Sequence, residues 1–188
     1  MLRICRSLEG MPLGIELAAA WVSMISCQEI AAEIEVNLDF LSTRLRNQPS
    51  RHRSLRAVCH HSWLLLDDAE RQAFRRLSVF RGGFGRAMAQ EVAGTGLAML
   101  SALVDKSLLR HRSDGRFEMH EVLRHFASEQ LAEDPAEMES MQAGHGRAVA
   151  AYLYRQEELL QSADQCAALD QIAAELENVR QAWQWALT

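Results

Sequence analysis

What this sequence has little of narrows it first. Three prolines in 188 residues leave few forced helix breaks, and 48% apolar content fits a packed, helix-rich protein. Long apolar runs are missing: none approaches the roughly 18 residues that a membrane span takes. The opening MLRICRSLEG has no apolar stretch of secretory type. Cysteine is sparse. Cys5, Cys27, Cys59 and Cys166 stand far apart with no Cys-x-x-Cys pair, so they read as free thiols in a reducing cytoplasm. Chemistry-bearing motifs are missing too: there is no G-x-x-x-x-G-K-[ST] phosphate loop and no G-x-S-x-G elbow. GGFGRA lacks the lysine of a phosphate loop and reads as a turn. Cys59, His60 and His61 fan around a predicted helix and would not share a metal. The chain by itself is not expected to be an enzyme.

What is there includes FEMHEVLRHFASEQL, Phe117 to Leu131, which at first suggests a zinc-protease helix. Such a helix needs histidines at i and i+4, about 40° apart around the axis. His120 and His125 are five apart, about 140° around, and cannot point at one ion. The zinc reading fails on geometry.

The net charge of −5 is unevenly spread. Residues 1–50 carry 4 basic and 6 acidic side chains, residues 51–130 carry 13 and 9, and residues 131–188 carry 3 and 10. A basic middle and an acidic tail suggest separate modules.

The pattern predicts a mainly α protein. A helical bundle is expected over 1–48. It starts with Leu2, Ile4, Cys5 and Leu8 on one face and Gly10 as a stop, as though the chain began inside a helix. LGIELAAAWVSMI continues it, followed by helices at Gln28–Glu35 and Leu38–Leu45. RLRNQPSRHRSLR then marks a boundary. Over 49–132 the pattern gives SLRAVCHHSWLLL, a helix capped by Asp67 or Asp68 with Glu70 in its first turn, the GGFG break, and two short helices. LLRHRSDGRFEMH follows, alternating apolar positions around an Asp-Gly turn, which is a hairpin signal. Helices and then a hairpin give the order of a winged helix. A helical extension is expected over 133–188, with long helices near Glu139–Gln161 and Gln165–Leu187.

In a winged helix the third helix usually enters the major groove and displays polar and basic side chains. Here that helix, LAMLSALVDKSLL, is mostly apolar, with Lys106 its sole basic residue. Its composition argues against direct DNA binding. The arginines at 44, 46, 51, 53, 56, 75, 76 and 81 read as solvated helix faces rather than a phosphate track.

Two stretches carry a resemblance. EGMPLGIELAAAW resembles the G-L-P-L motif, and FEMHEVLRHFASEQL the M-H-D motif, of the NB-ARC and AP-ATPase group of STAND signal-transduction NTPases. RHRSLRAVCHHSWLLL, LSVFRGGF and LVDKSLL lie between them in the order of bacterial members. The resemblance covers about residues 1–132. It implies that Pro12 lies against the adenine of a bound nucleotide, and that His120 contacts the β-phosphate of ADP and holds a closed state. Met119 would anchor the strand end. Met11 stands where the motif has leucine, and Glu121 where it often has aspartate.

On that resemblance the chain is a fragment whose natural partners are an N-terminal P-loop NTPase domain of the same protein and a C-terminal repeat or sensor region. The extension resembles the start of TPR-like repeats. ADP or ATP would be the cofactor of the intact parent, with none held tightly here. The function implied is a cytoplasmic regulatory segment that transmits nucleotide state, with no membrane partner. A winged-helix DNA-binding transcription factor and a plain helical protein-interaction module are the alternatives.

Overall fold

The computed structural model describes residues 4–5, 8, 11–19, 21–22, 24–36 and 55–187. The predicted helix at Leu38–Leu45, the Gly10 stop and the arginines at 44, 46, 51 and 53 lie outside the described residues. Ten helices and one two-stranded sheet are assigned among those described. The predicted mainly α fold with a small wing is what the structure shows.

The chain divides into two units by its contacts: Met1–Arg71 with His120–Phe126, and Gln72–Met119 with Ala127–Thr188. The first holds α1 (Pro12–Ala19), α2 (Cys27–Val36) and α3 (Leu55–Leu64). Pro12 begins α1, where its missing N–H leaves nothing unsatisfied. A reciprocal cap opens α2: Ser26 Oγ accepts from the Glu29 N–H at 3.3 Å, and the Glu29 carboxylate accepts from the Ser26 N–H at 2.8 Å. Leu8, Leu17, Ile30 and Leu55 form its apolar centre. Phe126 joins them from the later segment, edge-on to Trp63 at 6.1 Å between ring centroids.

The helix α4 (Asp68–Leu77) opens on a second reciprocal cap. Asp67 Oδ1 accepts from the Glu70 N–H at 2.8 Å, and Glu70 Oε2 accepts from the Asp67 N–H at 2.9 Å. Of the two candidate caps, Asp67 is the one used.

The second unit then runs through α5 (Arg86–Ala93), α6 (Leu97–Asp105), β1 (Arg110–His111) and β2 (Phe117–Glu118). The strands pair antiparallel, Arg110 opposite Glu118 and His111 opposite Phe117. Phe84 adds a third short antiparallel rung by bridging Phe117. The GGFG stretch is thus a turn into a bridge residue: Gly83 has φ +94°, and a Cβ there would stand 3.0 Å from the Phe117 carbonyl, so only glycine fits.

After α7 (Glu121–Ala132), α8 (Pro135–Leu160) starts on an Asp134 cap with Pro135 in its first turn. It carries α5, α9 (Gln165–Ala174) and α10 (Leu176–Ala186) against it. The sequence pattern predicts one helix over Gln165–Leu187; the structure breaks it at Glu175, whose side chain turns inward and is buried. Among the described residues no single helix is long and apolar enough to cross a membrane.

Candidate nucleic-acid interface

Two helices set at 105° to each other, α5 and α6, are joined by Gly94-Thr95-Gly96. Gly94 takes φ +66° and closes α5 by donating to the Gln90 carbonyl, while the Thr95 N–H reaches the Ala89 carbonyl. A right-angled pair with a glycine turn is the helix-turn-helix arrangement. Leu100 and Leu103 anchor α6 in the core, fully buried. Its exposed face is Leu97, Ala98, Ser101 and Asp105, with exposed Lys106 just beyond.

The hairpin that follows carries the denser positive charge. Arg110, His111 and Arg112 are exposed. Each arginine meets a carboxylate of the same hairpin: Arg110 donates to Glu118 at 2.6 Å, and Arg112 lies 3.1 Å from Asp114 and 3.8 Å from Glu118. Both guanidiniums and Asp114 are open to water, while Glu118 is half-buried; contacts of such exposed arginines contribute about 0–1 kcal/mol and exchange easily for other anions.

The third hairpin arginine behaves differently. Arg116 donates to the Glu175 carboxylate, to the Gly83 carbonyl at 2.9 Å and to the Ala174 carbonyl at 3.3 Å. Burial alone would push its guanidinium down; the hydrogen bond and charge of Glu175 outweigh that and raise it. Asn178, fully buried, accepts from the Arg81 N–H at 2.7 Å and donates to the Gly83 carbonyl at 2.8 Å and to Glu175 at 2.6 Å. His145 Nε2 stands 3.4 Å from Asn178 Oδ1, and its ring meets Phe80 edge-on at 5.3 Å. The result is a connected polar hub behind the hairpin.

Burial lowers the pKa of His145 below 6.5, partly offset by Asn178 and Glu175. The unfolded chain therefore binds the proton more readily than the folded one. Stability should hold above pH 6.5, fall as pH drops through that value, and level off below the depressed folded value. Thermal melts from neutral to acid pH check this: His145→Gln should flatten that part of the profile, and an unchanged profile would remove His145 from the account.

Residues 66–132 match the winged helix-turn-helix domain family. This segment is a winged helix-turn-helix domain. The winged helix, with α5 and α6 as its helix pair and β1–β2 as its wing, lies in a chain with related proteins in mycobacteria. A Mycobacterium bovis protein and a Mycobacterium tuberculosis protein, both named provisionally as HTH-type transcriptional regulators, are 33% identical in an alignment 193 positions long that covers 97% of this chain. The chain spans 21% of their length. An uncharacterized Mycobacterium bovis protein is 33% identical in an alignment 141 positions long that covers 69% of this chain and 36% of that protein. No solved structure matches.

These relationships correct the expectation that direct DNA binding is disfavoured: the winged helix-turn-helix match and the regulator relatives both point toward DNA. The physical reason lies in α6. Its overall composition mixes a buried side with an exposed side, and Leu100 and Leu103 belong to the core rather than to any groove-facing surface. Phosphate affinity in any case draws on cations outside a recognition helix.

Pro12 and His120 both fall in the first unit. Pro12 is exposed. His120 Nδ1 accepts from the Val122 N–H at 3.2 Å, which leaves Nε2 as the protonated nitrogen, 3.1 Å from the Leu8 carbonyl. That carbonyl also accepts from the Met11 N–H at 2.8 Å. One oxygen thus joins His120 to the residue before Pro12. Arg75 and Arg76 are half-buried beside Glu137 rather than on a solvated face. Arg76 hydrogen-bonds Glu137 at 2.7 Å, and Arg75 Nη2 stands 2.7 Å from the other oxygen without hydrogen-bond alignment.

Sequence reasoning missed Arg116, His145, Glu175 and Asn178. A faint signal existed: Glu175 and Asn178 stand three apart at inward positions of the final helical stretch, where an apolar stripe would be expected.

Proposed function

We propose that the chain is the winged-helix segment of a transcriptional regulator, and that it touches DNA through α6 and the wing. What carries the reading is the winged helix-turn-helix match over 66–132, on a helix pair crossing at 105°. In it, Arg110 and Arg112 exchange their hairpin carboxylates for phosphates, while Ser101, Asp105 and Lys106 lie nearest the groove. The α6 face has no arginine, asparagine or glutamine for bidentate base contacts. Binding is therefore expected to be dominated by phosphates and steeply salt-dependent.

The test is a titration of mixed-sequence duplex against the chain over a range of salt. Replacing both Arg110 and Arg112 by glutamine should reduce the slope of log K against log salt by about 2. Binding absent at low salt would sink the reading, and an unchanged slope would take the wing out of the contact.

A second reading is favoured by one observation, the Leu8 carbonyl shared by His120 and Met11. In it the intact protein is a STAND-type nucleotide switch, His120 and the Pro12 turn sense ADP, and the winged helix moves with nucleotide state. In the full-length protein His120→Ala should then weaken ADP retention; full retention would end that role. On both readings the chain itself carries out no covalent chemistry and works in the cytoplasm.

A further inference from the structure

The three hairpin arginines are neutralised in unequal ways. Arg110 and Arg112 pair within the hairpin, with side chains 67% and 43% exposed. Arg116 is 16% exposed, and its partner Glu175, at 6%, belongs not to the wing but to the junction of α9 and α10. The other terminal nitrogen of Arg116, Nη2, donates to two backbone carbonyls, those of Gly83 and Ala174. The two exposed guanidiniums can trade a carboxylate for a phosphate by turning their side chains. Arg116 cannot, because Glu175 is itself held by Asn178, which also grips the Gly83 carbonyl and the Arg81 N–H.

We propose that the α9–α10 junction is an autoinhibitory latch on the wing, in which Glu175 withholds Arg116 from DNA until these helices shift. The proposal rests on the DNA-binding reading for its output, but the latch is a property of the protein alone. Charge makes the device workable: the surrounding tail is strongly acidic, with 10 acidic against 3 basic residues over 131–188, so the helices that hold the wing also repel a duplex. A latched wing offers two arginines to DNA, and a released wing offers three.

Glu175→Gln keeps the shape and a hydrogen bond while removing the charge that holds Arg116. Two measurements on the whole chain test it. Amide exchange should speed up several-fold over residues 110–118 and 81–84 in the variant, with the exchange of α1 and α2 unchanged. Unchanged exchange in the wing overturns the latch whether or not DNA binds. With a mixed-sequence duplex as probe, the variant should bind about tenfold tighter at low salt with a slope steeper by about 1, one extra phosphate contact. Adding Arg116→Gln should cancel that gain. If exchange speeds up and neither protein binds the duplex, the latch stands and the DNA reading falls. If both bind with equal affinity and slope, Arg116 is not withheld and the proposal is wrong. Arg116→Lys is the second variant: it keeps the charge but cannot fill a planar fork on three acceptors, and should speed wing exchange in the same way.

Discussion

Replacing Phe84 with alanine is expected to lower the stability of the second unit by about 4 kcal/mol, within the usual range for a buried phenylalanine. Phe84 is 1% exposed, stacked on Phe80 at 4.6 Å between centroids and facing Phe117 at 6.2 Å. Its backbone bonds to Phe117, at 2.8 and 2.9 Å, survive the substitution because alanine keeps both groups. The whole loss therefore belongs to the ring and the cavity it leaves. For a chain of this size that is a fall of about 10 °C in the melting temperature. Phe84→Leu, which retains most of the volume, should lose much less. A loss below about 1 kcal/mol for Phe84→Ala in urea unfolding would mean the three rings are not a cooperative cluster.

The second large effect is expected at Asn178. Asn178→Leu matches the volume and removes every hydrogen bond, leaving the Arg81 N–H without its acceptor and the Gly83 carbonyl and Glu175 each short of a donor. Buried groups stripped of a partner cost about 1–3 kcal/mol each, and Arg116 still serves two of the three. A loss of about 3 kcal/mol follows, measured by chemical unfolding at neutral pH. Because leucine refills the space, a near-zero loss would show that packing rather than polar contact holds the hub. The loss should be accompanied by faster amide exchange in the wing, as for Glu175→Gln.

The sequence made some of this legible, and the reason is locality. Asp67 with Glu70, the Ser-Asp-Gly-Arg turn and the GGFG break each act within a few residues, and each stands where the pattern placed it. The hub was not legible because its partners are remote: Asn178 reaches Arg81 across 97 residues and Gly83 across 95. A buried asparagine has no periodicity to betray it, and Glu175 breaks its helix for a carboxylate contact made 59 positions away. The DNA reading was misjudged for a different reason, since composition averages over a helix whose two sides do different work. Leu100 and Leu103 are core; Leu97, Ala98, Ser101 and Asp105 are surface. Of the candidate nucleotide residues, the structure places His120 and the Pro12 turn on one shared carbonyl, a juxtaposition across 112 residues that spacing alone does not give.

The separation between Arg116 and Glu175 also sets an order of events during synthesis. Arg116 enters the nascent chain 59 residues before its clamp has been translated. At roughly 5–20 residues per second that interval is about 3–12 s. Throughout it, Arg116 has neither Glu175 nor the Ala174 carbonyl, and the wing is at its most basic. Every new molecule thus passes once, on the ribosome, through the state that the mature fold keeps closed.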